Sequence, residues 1–183
     1  LTLAFGLVCA VLEARSSGQG RVVDAAIVDA VAMLGGIAQW ITAAGQLGGE
    51  RPSPFHDSPF YDVYRCADGG CITLGALEPQ FYALLMEKLG LADVELGRQY
   101  DTRAWPALKE RLTALFASQP RAHWEALLEG TDVCFAPVLS AEEAAEHPHN
   151  RARATYVRTA SGALDVAPAP RFLPLVGGAG AAE

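Results

Sequence analysis

The chain has 183 residues, of which 51% are hydrophobic and 19% are charged, and its formal net charge is −7. Such a composition is typical of a folded protein with a sizeable core, and it excludes an intrinsically disordered chain. The 14 Lys and Arg residues are scattered along the sequence without a basic run. We therefore expect neither nucleic acid nor an anionic membrane among its partners, because both reward clustered positive charge.

The first 46 residues show helical periodicity. Apolar side chains recur at helical spacing over residues 1–12, and glycines soon after predict the end of that helix. The run is too short for a membrane span and lacks the basic lead of a signal peptide. A buried helix of a longer protein, cut at Leu1, explains it better. A second helical stretch follows over residues 25–44, so residues 1–46 are predicted to end a larger α/β domain.

Residues 47–59 differ in composition from what precedes them. They contain three prolines and two glycines, which sustain neither a helix nor a central strand. We predict a linker and a domain boundary here.

Residues 60–146 are predicted to form a small α+β domain inserted into the larger one. Two stretches rich in aromatic and β-branched residues, 60–66 and 71–74, surround an Ala-Asp-Gly-Gly turn and predict a β-hairpin. Proline at the first helical position and glycine just past the end predict a helix between Pro79 and Gly90.

The remaining elements complete the small domain and lead back to the large one. They are amphipathic helices at 105–117 and 121–128, a strand at 131–138, a short helix opened by Ser140 with Glu143 at capping-box spacing, and strands at 155–158 and 163–166. Trp105, Phe116 and Trp124 are predicted to be core residues and not an adenine-stacking site. Residues 147–183 are predicted to return to the large domain and to end in a Pro-rich tail.

The four cysteines do not predict a metal site, since no C-x-x-C pair occurs among Cys9, Cys66, Cys71 and Cys134. Cys66 and Cys71 flank the hairpin turn, so a local disulfide between them is one alternative. We favour free thiols in a reducing cytoplasm. Together with the absence of an export signal, this predicts a cytoplasmic protein.

Four sequence blocks stand out: SPFYDVYR at 58–65, GALEPQFY at 75–82, GTDVCFAPVL at 130–139 and HPHNRAR at 147–153. In their order and spacing they resemble the class III CoA-transferase (CaiB/BaiF-type) superfamily. The second block is similar to the racemase branch of that superfamily, the α-methylacyl-CoA racemases. Several blocks in one order are a far more specific signal than any single motif.

The resemblance implies a fold, a substrate and an assembly. The fold is the end of a Rossmann-like large domain plus an inserted small α+β domain, and the assembly is an interlocked homodimer. The reaction is racemisation of a 2-methylacyl-CoA by exchange of the proton next to the thioester. The resemblance implies neither a metal nor a redox cofactor. Coenzyme A is carried as part of the acyl-CoA substrate.

The resemblance also implies the acid and base groups. In the family a His paired with a Glu serves one face of the reacting carbon, and an Asp serves the other. The Glu belongs to the block that contains Glu78, which is therefore our candidate catalytic residue. The His and the Asp belong to the large domain, before Leu1 in the family order. We expect this chain to be a fragment that lacks both and is inactive by itself.

Glu78 is also unusual on physical grounds. A residue before proline is pushed to extended geometry, so Glu78 is expected at the N-cap of the helix that starts with Pro79. Glu is not a favoured cap, although the helix dipole favours its ionised form. A carboxylate fixed at a helix start can orient an imidazole. The plainer alternative is a surface Glu in the first helical turn.

Two other functions stay open. A CoA-transferase of the same superfamily uses an Asp nucleophile that forms a mixed anhydride. Its members typically have a glycine-rich loop before the hairpin and tend to lack the Glu. Residues 51–59 contain three prolines and no glycine, and Glu78 is present, so both features favour the racemase. The second alternative is a non-catalytic dimerisation or scaffold fragment.

Other polar residues are weaker candidates. His56 and Asp57 resemble a base with its orienting acid, yet adjacent side chains usually point apart. The two histidines that flank Pro148 lack further ligands for a metal. Arg51 or Arg65 could meet the phosphates of CoA, although nothing in the sequence singles them out.

Overall fold

The computed structural model describes residues 1–48 and 52–172. The chain divides into two compact units, of which the first is Leu1–Ala136 and the second begins at Pro137. The elements are α1 (Thr2–Ser17), α2 (Ile27–Leu34), α3 (Gly36–Ala43), β1 (Val63–Arg65), β2 (Cys71–Leu74), α4 (Pro79–Lys88), α5 (Trp105–Phe116), α6 (Arg121–Leu128), β3 (Phe135–Val138), α7 (Ala141–Glu146), α8 (Pro148–Ala152), β4 (Tyr156–Arg158) and β5 (Leu164–Val166). The fold is thus mixed α/β, while the predicted domain limits stay predictions.

The first two helical stretches of the sequence become three helices. Helix α1 ends where expected, at Gly18, whose left-handed φ of 72° lets its N–H reach the carbonyl of Ala14. The stretch predicted as one helix over 25–44 is interrupted at Gly35, which ends α2 and begins α3. Adjacent glycines at 35 and 36 explain the interruption, because glycine gains most from leaving a helix.

The burial predicted for the first helix concerned a longer protein and stays a prediction. None of α1, α2 or α3 contains a buried residue, and Phe5 and Trp40 are 74% and 71% exposed. Other large apolar side chains of these helices are exposed as well, among them Val8, Ile27 and Ile37. Residues 1–46 contain no strand, so their Rossmann-like character stays a prediction. No described helix is long and apolar enough to cross a membrane.

The predicted hairpin is confirmed. Strands β1 and β2 pair antiparallel with Tyr64 opposite Ile72, and β3 adds to them in the order β1-β2-β3. The turn closes through a hydrogen bond from the N–H of Cys66 to the carbonyl of Gly70 at 2.8 Å. Gly69 has a φ of 83° in that turn, a conformation in which a side chain would be strained. Only three residues of the predicted 60–66 strand pair, because residues 59–62 form turns.

The core of the first unit lies between the sheet and helices α4, α5 and α6. Phe60 is fully buried, and its ring meets those of Tyr82 and Trp105 edge to face at centroid distances of 5.3 and 5.8 Å. Phe116 and Trp124 form a second edge-to-face pair at 5.0 Å. Such pairs contribute about 1 kcal/mol beyond the burial of their area. The three aromatic residues predicted as core are confirmed in that role.

The second unit contains the predicted capping box. Ser140 accepts a hydrogen bond from the N–H of Glu143, whose carboxylate accepts one in return from the N–H of Ser140. Helix α8 follows, which the sequence pattern did not predict. Strands β4 and β5 then pair antiparallel, with Val157 opposite Asp165, as the two strand-like stretches predicted.

Candidate functional site

Glu78 lies where the chain passes from β2 into α4. It is the N-cap of α4, with extended backbone angles of φ −71° and ψ 139°, and Pro79 occupies the first helical turn. This is the geometry that the sequence predicted, because proline forces the residue before it out of the helical region. The backbone position of Glu78 is therefore confirmed, while its catalytic role stays a prediction.

The side chain of Glu78 is not used to cap the helix. The backbone carbonyl of Glu78 accepts hydrogen bonds from the N–H groups of Phe81 and Tyr82, both at 3.0 Å. The carboxylate of Glu78 makes no capping bond. The side chain is exposed. The carboxylate thus stands at the N-terminal end of α4, and its oxygens remain available to a group outside the helix.

An apolar groove of about 470 Å³ adjoins this carboxylate. We call it the Glu78 groove; it is lined by Gln46, Pro54, Phe55, Leu77, Glu78, Pro79 and Tyr100. Most of these side chains are apolar, so the groove suits a hydrocarbon group next to a single negative charge. An imidazole placed there would be held in its protonated form by the carboxylate.

The charge of Glu78 acts on two nearby proton donors. Burial first, and the Glu78 carboxylate second, raise the pKa of the Tyr100 hydroxyl above its ordinary value. Burial, Glu78 and Asp132 together raise the pKa of the Cys134 thiol. Both groups therefore stay protonated at neutral pH. The environment of Cys134 is the opposite of that of a catalytic thiolate, which needs positive charge nearby.

The backbone of Cys134 explains why β3 begins later than predicted. Cys134 has a φ of 53°, and such a left-handed residue cannot continue an extended strand. The predicted strand over 131–138 is therefore reduced to its last four residues. The carbonyl of Cys134 accepts a hydrogen bond from the N–H of Gly75 at 2.8 Å, which ties this turn to the segment that carries Glu78. All four cysteines are free thiols, as the sequence favoured.

The adjacent His56 and Asp57 do not form an acid–base pair. The Asp57 carboxylate accepts a hydrogen bond from the N–H of Ser53 at 2.7 Å, which closes a tight turn. The N–H groups of His56 and Asp57 both bond to the carbonyl of Ser53. His56 is exposed. That this pair carries no chemistry stays a prediction.

Three of the other candidates for binding CoA phosphates or a metal lie among the described residues. Arg65 is exposed on β1, and Arg51 lies outside the described residues. His147 is the N-cap of α8, and His149 lies within that helix. In the part of the chain that the structure describes, no group of three or more His, Cys, Asp or Glu side chains could hold a metal ion.

Comparison with known proteins decides the family. A family model described as CoA-transferase family III matches residues 1–181. The chain belongs to CoA-transferase family III. The family predicted from the four sequence blocks is thereby confirmed.

Two curated relatives and one solved structure are similar to this chain. The α-methylacyl-CoA racemase of Mus musculus is 38% identical over 178 residues, which are 96% of this chain and 46% of that protein. The α-methylacyl-CoA racemase of Homo sapiens is 35% identical over 182 residues, covering 94% and 46% of the two chains. This family III chain therefore spans about half the length of these relatives. The crystal structure of Rv3272 from Mycobacterium tuberculosis has a TM-score of 0.70 at 20% identity, over 93% of this chain and 46% of that one, which shows a shared fold.

Proposed function

We propose that the natural protein carrying this chain racemises 2-methylacyl-CoA thioesters, and that Glu78 is the carboxylate paired with its acid–base histidine. The observation that carries the proposal is the 38% and 35% identity to two α-methylacyl-CoA racemases over nearly the whole chain. The exposed carboxylate of Glu78 beside an apolar groove is consistent with it.

The proposed reaction exchanges one proton on the carbon next to the thioester. A base removes the proton from the carbon next to the thioester carbonyl, and the electron pair enters an enolate. An acid on the opposite face then returns a proton to that carbon, which inverts the 2-methyl branch without net change in composition. Such a carbon acid is weak, so the site needs both groups and donors for the enolate oxygen.

Glu78 supports the histidine on one face in this proposal. A carboxylate accepts the N–H of an imidazole, holds the ring in one orientation and stabilises its charged form. The resemblance assigns that histidine and the opposing Asp to the large domain of the family fold. The apolar Glu78 groove would then receive the acyl group, with CoA as part of the substrate and no separate cofactor.

The proposal includes an assembly and a location. Family likeness suggests an interlocked homodimer in which the small domain of one chain completes a site on the other. Free cysteines are consistent with a cytoplasmic protein. Sedimentation of the natural protein would test the dimer, which should have twice the mass of one chain.

Exchange of Glu78 for glutamine tests the role of the carboxylate. Glu78→Gln keeps the size of the side chain and removes its charge, so the rate of proton exchange at C2 in D2O should fall about 100-fold or more. Glu87→Gln, on the same helix and exposed, is the matched control and should keep the wild-type rate. Equal rates for the two variants would show that Glu78 is only a surface residue at a helix start.

A transfer assay separates the proposal from its nearest alternative. A family III CoA-transferase moves CoA from the thioester to a free carboxylic acid through an anhydride on an Asp. We expect C2 exchange without such transfer. CoA transfer by a protein that leaves the C2 proton in place would establish the transferase instead.

A further inference from the structure

The two backbone carbonyls directly before Glu78 are held from a distant loop. The side-chain amide Nε2 of Gln99 donates to the carbonyl of Leu77 at 2.8 Å and to that of Ala76 at 3.2 Å. The hydroxyl of Tyr100 donates to the same Leu77 carbonyl. The side chains of two consecutive residues, Gln99 and Tyr100, thus donate hydrogen bonds to two consecutive backbone carbonyls. The residue after these carbonyls is Glu78. We call this contact the Gln99–Tyr100 clamp.

The clamp is anchored in the core. Gln99 is 4% exposed, and its own carbonyl accepts a hydrogen bond from the indole Nε1 of Trp105 at 2.8 Å. The ring of Tyr100 meets the fully buried ring of Phe60 edge to face at 5.9 Å. Packed aromatic side chains therefore limit movement of the segment that contains Gln99 and Tyr100. Through the clamp, this segment holds the backbone of Leu77, the residue before Glu78, in a fixed position relative to the core.

One donor would satisfy the carbonyl of Leu77. Gln99 already supplies it from the buried side, whereas Tyr100 is 52% exposed, so its hydroxyl would find water if the bond were absent. Its contribution to folding stability should be small for that reason. The Tyr100 hydroxyl, as the second donor, instead limits rotation of the peptide group between Leu77 and Glu78.

We infer that Gln99 and Tyr100 are positioning residues, which aim the Glu78 carboxylate from the N-cap of α4 into the Glu78 groove. The inference rests on the proposed function, since it assigns a role to the same site. Catalytic groups must be held within about 0.5 Å of their productive geometry, and a displacement of about 1 Å can lower a rate about 100-fold. The clamp provides such a restraint on the backbone of Glu78.

Tyr100→Phe is the sharpest variant, because it removes one hydroxyl and leaves the ring on Phe60. In the natural protein we expect kcat for C2 proton exchange to fall about tenfold, with KM within about twofold of wild type and the urea midpoint unchanged. Tyr61→Phe is the matched control: Tyr61 is 39% exposed and its ring packs edge to face on Phe55. It should leave kcat, KM and the midpoint unchanged.

A double-mutant cycle with Glu78→Asp decides whether Tyr100 acts through Glu78. Asp keeps the charge but shortens the side chain, so the carboxylate is already displaced and residual exchange stays measurable. Adding Tyr100→Phe to that variant should then change kcat less than about twofold. If the two losses multiply, or if Tyr100→Phe alone leaves kcat unchanged, the inference is overturned while the proposed function stands. An unchanged rate of C2 proton exchange in Glu78→Gln overturns the role proposed for Glu78, and this inference with it. Absence of C2 exchange in the wild-type protein overturns the proposed function.

Discussion

Lys109 of α5 forms an ion pair with the carboxylate of Asp62, the residue directly before β1. The other carboxylate oxygen of Asp62 accepts the N–H of Val63 at 2.7 Å, and its backbone carbonyl accepts the N–H of Leu74 at 2.9 Å. Asp62 therefore joins both strands of the hairpin to helix α5. The hairpin leads into the Glu78 segment, so this connection also supports the candidate site.

Loss of the Lys109 ammonium should weaken this connection. Lys109→Met removes the partner of a carboxylate oxygen that is buried in the first unit, which should lower the free energy of unfolding by about 1 kcal/mol. The value is modest because the lysine side chain is 44% exposed and partly screened by solvent. The urea midpoint measures the effect. Lys88→Met, at the exposed end of α4, is the control, and an equal midpoint for both variants would contradict the account.

Elements governed by local rules could be predicted from the sequence. Proline and glycine set the limits of α4, the Ala-Asp-Gly-Gly turn sets the hairpin, and Ser140 with Glu143 marks the start of α7. Each of these signals acts within a few residues of the chain. The extended backbone of Glu78 belongs to the same class, since Pro79 alone dictates it.

The rest depends on contacts between residues that are far apart in the sequence. Gln99 and Tyr100 reach the Leu77 carbonyl across 22 and 23 positions, and no periodicity or motif announces such a contact. The left-handed backbone of Cys134 cannot be read from a run of β-forming residues. The interruption at Gly35 could have been suspected from the paired glycines, but helix propensity elsewhere in the stretch favoured continuity.

Ser140→Ala should loosen the start of helix α7. The serine hydroxyl accepts the N–H of Glu143, and loss of such a cap costs about 1 kcal/mol. Amide hydrogen exchange over residues 141–146 should accelerate about fivefold in consequence. Ser140→Asp keeps an oxygen at the capping position and should retain the wild-type exchange rates. Identical protection of α7 in the alanine and aspartate variants would mean that the capping box does not stabilise this helix.

Alkylation of Cys134 reports the charge of Glu78 without any assay of activity. Because the Glu78 carboxylate helps to raise the pKa of the Cys134 thiol, removing that charge lowers the pKa and increases the thiolate fraction at a given pH. Iodoacetamide reacts with the thiolate, so Glu78→Gln should accelerate alkylation of Cys134 at pH 8 about threefold. Peptide mass spectrometry follows the reaction at this residue.

Alkylation in either protein should accelerate as pH rises, and the Glu78→Gln curve should lie at lower pH than the wild-type curve. Glu87→Gln also removes one negative charge, but near the other end of α4, and should leave the alkylation rate of Cys134 unchanged. A Glu78→Gln rate equal to wild type would show that the carboxylate does not lie near the thiol.

The most direct test of the proposed function is deuterium incorporation from D2O at C2 of the separate R and S forms of a 2-methylacyl-CoA, measured on the natural protein. Racemisation predicts deuterium at C2 from both forms, a mixture of configurations at equilibrium, and an intact thioester. Retention of the C2 proton in both forms, with the configuration of each substrate unchanged, would contradict the assignment.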